Sequence, residues 1–314
     1  MNVLTIKYIL EVVVALVGLI AGNLLLGLIG KNSKKVWERV ALLVIRVAGS
    51  IIILLWLAIC CFTDFMLYHP CFDEAAHEKL LQEEAYEELA IETPIGTCGG
   101  WFFHAEENPY RVTVVLYQGN TQSSAQTLAE NVKLHSQLMG NLVLTDFPGY
   151  GKSEGIPTEQ SLKKMALSAF DQLMAREDMQ NQHIVILGYS LGTGIANYVA
   201  SQREVDGLIL IAPYQNGYDL FNRFVDIFHG PVKALLPFKM RSDQFAETVE
   251  VTPLIMATTD DEMISYESSK QLSLHFPKGS KFLTYEGLGH VGFWQDENVW
   301  KEIYSYMEDC AGKE

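Results

Sequence analysis

Two long apolar runs open the chain. Tyr8–Ile29 holds 22 residues with Glu11 and Asn23 as its strongly polar interruptions, and Val40–Phe62 holds 23 with Arg46 its one charge. Each exceeds the roughly 20 residues that a helix needs to cross a hydrocarbon core. A secretory signal has an apolar stretch of only about 7–15 residues. The first run is too long for one, and the second follows at once. Residues 1–62 therefore read as a two-helix membrane anchor. Gly18 and Gly22 form a GxxxG in the first run, and Ala48-Gly49-Ser50 lies at similar depth in the second. Small residues facing each other there predict a close backbone approach. Phe72–Leu89 places apolar residues at helical spacing among many glutamates, which predicts an amphipathic helix in a linker over 63–86.

From residue 87 the pattern changes to short β-rich runs alternating with helical ones. Predicted strands are Glu88–Glu92, Gly100–Ala105, Arg111–Tyr117, Asn141–Asp146, His183–Leu187, Gly207–Ile211, Thr252–Ala257 and Ser280–Tyr285. Predicted helices are Ser124–Met139, Glu159–Ala175, Gly192–Gln202, Ser265–His275 and Glu297–Cys310. The later strands are apolar throughout, as in a parallel sheet covered on both faces. The alternation predicts an α/β domain over 87–314, its parallel sheet opened by an antiparallel pair. Residues 213–251 interrupt the rhythm with many aromatics, and read as a cap over a site.

Charge sharpens this division. The net charge is −15, yet residues 1–62 carry six Lys/Arg against two Glu. The remainder is strongly acidic, which excludes the broad basic footprint of a nucleic-acid binder. The connector Gly30–Arg39 holds Lys31, Lys34, Lys35 and Arg39. The positive-inside bias places it in the cytoplasm and the body outside, with Arg46 reaching back toward the connector side. The cysteines, at 60, 61, 71, 98 and 310, have no metal-ligand spacing and leave open one Cys98–Cys310 or Cys71–Cys98 bridge.

The sharpest chemical signal is Gly188-Tyr189-Ser190-Leu191-Gly192, a G-x-S-x-G between the apolar HIVIL run and a helical ANYVASQ run. A nucleophile elbow needs this strand–turn–helix setting, with glycines where side chains cannot fit. A serine hydroxyl needs a base, and the base an orienting carboxylate. His290, in the Gly-rich segment Gly287–Gly292 after the last strand, is the candidate base. His183 and His275 lie within predicted elements, and His69, His77, His104 and His135 precede the serine. After the strand ending at Ala257 come Asp260, Asp261 and Glu262, which leaves two choices of aspartate. An oxyanion needs two N–H donors. Leu191 N–H is one candidate, and the loop Gln118-Gly119-Asn120-Thr121 would supply the other.

Beyond this elbow, Asp146-Phe147-Pro148-Gly149-Tyr150-Gly151-Lys152-Ser153-Glu154-Gly155 resembles the D-x-x-G-Y-G-x-S-x-G segment of α/β-hydrolases. Its Gly-Lys-Ser lacks the glycine that a Walker A loop requires at position 146. Over residues 87–310 the chain resembles the α/β-hydrolase superfamily, especially its membrane-anchored serine hydrolases. That resemblance implies the α/β-hydrolase fold. It puts Asp261 at the acid position and Asn120 N–H in the oxyanion hole, with Gln118 replacing the family's histidine. It implies a Ser190–His290–Asp261 triad without metal or organic cofactor, cleaving carboxylic esters or thioesters. The expected partners are the bilayer and a small-molecule, lipid or acylated substrate. The cap residues Phe221, Phe224, Phe228 and Phe238 are expected to favour an acyl chain. A peptidase of the same fold and a non-catalytic membrane interaction protein are the alternatives. Related thioesterases acting on cytoplasmic proteins imply the opposite topology. Oligomeric state is not legible in the pattern.

Overall fold

The computed structural model describes residues 3–32, 35–131 and 140–312. Two compact units emerge, one of residues 1–66 with 230–237, the other of 67–229 with 238–314. In the first unit, helices α1 (Val3–Asn32) and α2 (Val36–Leu67) pack antiparallel, each somewhat longer than its apolar run. At 1.5 Å per residue each spans more than the roughly 30 Å of a hydrocarbon core. Side chains such as Leu24, Leu28, Val44 and Ile51 are more than half exposed, as suits a lipid-facing surface. The polar residues pair between the helices. Asn23 Nδ2 donates to Leu19 O (2.8 Å) and Ser50 Oγ (3.3 Å), and Arg46 Nε donates to Asn23 Oδ1 (3.0 Å). Toward the other ends, Lys7 Nζ donates to the buried Asp64 carboxylate at 2.5 Å.

The close approach predicted at the glycines does not form. A Cβ on Gly18 would meet Ile53 Cδ1 at 3.9 Å, and one on Gly22 or Gly49 would meet nothing within 4 Å among the described residues. A cavity of about 70 Å³ lies there instead. The Asn23–Arg46–Ser50 group occupies the same level, so polar side chains, not backbone contact, join the helices.

The second unit holds one eight-stranded sheet in the order β1-β2-β4-β3-β5-β6-β7-β8. The strands are β1 (Tyr86–Thr93), β2 (Gly96–Phe103), β3 (Val112–Tyr117), β4 (Asn141–Thr145), β5 (His183–Tyr189), β6 (Gly207–Ile211), β7 (Leu254–Thr258) and β8 (Lys281–Tyr285). β1, β2 and β4 pair antiparallel in turn, and all other pairs are parallel. β3 through β7, except β4's first residue, are buried residue after residue apart from the ends of β5. On one face, Val114, Leu116, Val185, Leu187 and Ile209 form a core with Trp300 and Ile303. These last belong to the C-terminal helix Glu297–Ala311.

Several elements depart from expectation. Only Glu74–Leu81 (α3) of the predicted linker helix forms. Asp73 caps its start by accepting from Ala76 N at 2.9 Å. Beyond Leu81 the chain is drawn into β1, whose register with β2 runs from Tyr86↔Phe103 to Thr93↔Gly96. Of the predicted Ser124–Met139 helix, α4 covers Ser124–Glu130, and 132–139 lie outside the described residues. In the cap segment, Phe221, Phe228 and Phe238 are each 1% exposed, so they form its interior instead of facing an acyl chain; only Phe224 stays exposed. Asn222 holds that interior closed, accepting from Phe228 N at 2.9 Å. All five cysteines are free thiols, so neither bridge forms.

Candidate active site

Ser190 sits between β5 and α6, for which α4 (Ser124–Glu130) is followed by α5 (Glu159–Met174) and α6 (Leu191–Gln202). Its φ of 53° and ψ of −120° lie in a region that costs a non-glycine residue on the order of 1–3 kcal/mol. Surrounding bonds hold it there. Ser190 N donates to Ile211 O (3.0 Å), and Ser190 O accepts from Thr193 N (3.0 Å) and Thr193 Oγ1 (2.6 Å). Gly192 is required by space: a Cβ there would lie 2.0 Å from Tyr117 O. One on Gly188 would lie 2.7 Å from Thr193 Cα and Ala196 Cβ. β5 and β3 are thus pressed against the first turn of α6, and the serine side chain is thrown clear of it.

His290 Nε2 lies 2.9 Å from Ser190 Oγ, and its Nδ1 lies 2.8 and 3.0 Å from the two carboxylate oxygens of Asp261. A carboxylate accepts only, so the ring proton belongs on Nδ1 and Nε2 faces the serine hydroxyl with its lone pair. All three residues are buried. The Asp261 carboxylate is fixed in turn by Met263 N and Ile264 N, both donating at 2.8 Å. The fold thus joins three residues separated by up to 100 positions, and Asp261 is the aspartate that reaches the imidazole.

The predicted oxyanion loop lies beside the elbow. A Cβ on Gly119 would come within 3.8 Å of Ser190 Cβ and 3.3 Å of the Tyr189 ring. Gln118 Nε2 donates to Gln122 O at 3.0 Å, closing the loop on itself. Asn120 follows Gly119 in this loop, and Leu191 is the first residue of α6. Helix N-terminal N–H groups there carry the positive end of the helix dipole. Nearby, the Asp146 carboxyl is pushed up to about 6 by burial, despite accepting from Ser124 N at 2.6 Å.

Among the described residues, one cluster outside this site brings possible metal ligands together: Glu87, His104 and Asp178. The Arg176 guanidinium already stands among them, donating to Glu87 (2.8 and 2.7 Å) and Asp178 (2.9 and 2.7 Å). The cluster is an ion-pair network whose cation is Arg176.

Residues 113–248 match the family described as alpha/beta hydrolase fold. The chain is similar to an uncharacterized protein of Mycobacterium tuberculosis, 27% identical over 207 residues that cover 65% of this chain and 72% of that one. It is equally similar to alpha/beta hydrolase domain-containing protein 17C of Xenopus tropicalis, at 27% over 207 residues, 66% of this chain and 65% of the relative. Among solved structures it is similar to an esterase of Pyrococcus furiosus, with a TM-score of 0.62 and 17% identity over 78% of this chain and 100% of that one. The chain has the α/β-hydrolase fold.

Within this fold, three further residues set the histidine. The Asp260 carboxylate, the other aspartate that the sequence offers, is exposed and accepts from Gly287 N (2.9 Å) and Gly289 N (3.0 Å) and from the Thr258 hydroxyl. The Thr258 hydroxyl bond, with those glycine N–H groups, holds its carboxyl below the ordinary aspartate range. Glu262 accepts from His290 N at 3.1 Å. The Tyr189 hydroxyl donates to His290 O at 2.9 Å, and its ring stacks on the imidazole at 5.5 Å. Burial and the Asp261 and Glu262 charges raise the Tyr189 hydroxyl's pKa, keeping it a donor. Only the adjacency of Asp260 and Glu262 to the acid position signals these roles in the sequence.

Proposed function

We propose that this chain is a membrane-anchored serine hydrolase acting on carboxylic esters or thioesters. The observation that carries the reading is the contact chain from Ser190 Oγ through His290 to Asp261. Ser190 attacks the acyl carbonyl while His290 Nε2 takes its proton. The oxygen that becomes negative is held by the N–H groups of Leu191 and Asn120. His290 then gives the proton to the departing alcohol or thiol, leaving an acyl-serine. Water, activated by the same imidazole, releases the acid and restores the hydroxyl. Asp261 keeps the imidazole in the useful tautomer and stabilises its protonated form. The chemistry calls on no metal or organic cofactor.

The esterase of similar fold supports ester cleavage, and attachment to a bilayer favours a lipid-like or acyl-chain substrate. The buried cap phenylalanines lend that preference no support. In this reading the apolar helices span the cell membrane and the basic connector faces the cytoplasm, with the catalytic body outside.

Turnover of p-nitrophenyl esters against aminoacyl anilides by the full-length protein in detergent tests the reaction class. Ester turnover that vanishes in Ser190→Ala supports the proposal. Anilide turnover without ester turnover makes the chain a peptidase, and no turnover of either, with the protein folded, favours a non-catalytic role.

A further inference from the structure

The segment that follows the second apolar helix is tied to the loop carrying Asn120. Leu67 O accepts from Asn120 Nδ2 at 2.9 Å. The Tyr150 hydroxyl accepts from His69 N at 2.6 Å and donates to Asn120 O at 2.9 Å. Cys71 O accepts from Gly151 N at 2.8 Å, and Cys71 Sγ lies 3.5 Å from Thr121 O. Tyr150 is fully buried, and its ring meets Phe147 edge to face at 5.9 Å, so the hydroxyl has one fixed position.

These bonds converge on one residue. The Asn120 carbonyl is held by Tyr150 and its carboxamide by Leu67, which together fix the backbone and side-chain torsions of Asn120. The N–H of that residue has its direction set by the same atoms. A donor to an oxyanion works only when aimed within a few tenths of an ångström of the position the oxygen will take. Loops seldom hold such precision unaided, and this one lies against Ser190 through Gly119, where a Cβ would stand 3.3 Å from the Tyr189 ring.

We propose that Tyr150 and the Asn120 carboxamide are positioning residues for the oxyanion donor, and that the segment Leu67–Cys71 is their outer support. The proposal rests on the serine-hydrolase reading above. It makes the residues that leave the second apolar helix part of the catalytic apparatus, beyond their use as a tether. It also gives a role to the tyrosine of the D-x-x-G-Y-G segment, whose hydroxyl joins that segment to the loop after β3.

The test uses full-length protein in detergent micelles, p-nitrophenyl butyrate as substrate, and active sites counted by fluorophosphonate titration. A trifluoromethyl ketone, whose adduct with the serine carries an oxyanion, reports the hole directly. Tyr150→Phe, which removes one oxygen, is expected to lower kcat per titrated site about tenfold and weaken the ketone by a similar factor, with KM within about twofold. Asn120→Leu, which removes the tie to Leu67 while keeping the backbone N–H, is expected to change both in the same direction. Should Tyr150→Phe not fold, Asn120→Leu alone carries the test. Wild-type kcat and ketone affinity per titrated site in the folded variants overturn the positioning role and leave the hydrolase reading intact. A wild-type protein with no ester turnover and no titratable serine overturns both.

Discussion

Asp260 and Asp261 are neighbours in the chain with different roles. Asp261 faces the imidazole, while Asp260 gathers the N–H groups of Gly287 and Gly289 that precede His290. Asp261→Asn is expected to lower kcat by about 10⁴, the loss seen when an orienting aspartate can no longer impose the tautomer. Asp260→Asn keeps an acceptor oxygen and is expected to cost little, as the sequence alone suggests. Asp260→Ala leaves both glycine N–H groups without that partner and is expected to cost about tenfold in kcat at nearly constant KM. Steady-state kinetics on one ester separates the three variants; equal losses in Asp260→Asn and Asp261→Asn would contradict the assignment. Asp146 offers a pH test. Its pKa rises from 3.8 to about 6 on folding, so the native state holds this proton more tightly. Its stabilising contribution is complete below about pH 4 and is lost as pH rises through 6, by about 3 kcal/mol in all. The stability of wild type relative to Asp146→Asn, followed by thermal unfolding, should therefore fall between pH 4 and 7; a flat difference contradicts the burial argument. Ser190 and His290 are legible in the sequence because strained turns and Gly-rich loops leave local signatures. Glu262 and Tyr189 are not, because their roles depend on which loop crosses above them.

At the scale of elements, the parallel strands are the most legible, since burial on both faces writes itself as unbroken apolar runs such as Ile184–Leu187 and Leu208–Ile211. Residues 82–89 mislead because their spacing suits a helix, and pairing with Gly96–Phe103 outweighs that local preference. The cap aromatics mislead for a related reason: composition marks phenylalanine as apolar, but only packing decides whether it faces a ligand or its own interior. Phe221 lies 6.1 Å from Phe228, ring to ring, and both are buried. Phe221→Ala is expected to cost about 3–5 kcal/mol, whereas exposed Phe224→Ala stays within about 0.5 kcal/mol. Thermal unfolding of the two variants in the same detergent distinguishes a cap core from a binding face; a stable Phe221→Ala with weakened binding of long-chain esters would restore the expectation of an acyl-chain wall.

For the whole molecule, charge and hydropathy divide the chain into a basic, apolar N-terminal part and an acidic body. Lys7 and Asp64 neutralise each other, which leaves the connector as the dominant basic signal near the apolar helices. Protease added to intact cells is expected to digest the body, and a protease-sensitive body that is cut only after lysis would reverse the orientation. Topology bears on where the enzyme works, whereas the central claim concerns what it does. That claim is tested most directly by exposing the full-length protein to a fluorophosphonate and locating the adduct by mass spectrometry. The account predicts one phosphonyl group, on Ser190, formed in wild type and absent from folded Ser190→Ala. An unlabelled wild type, or a Ser190→Ala protein labelled to the same extent, would contradict it.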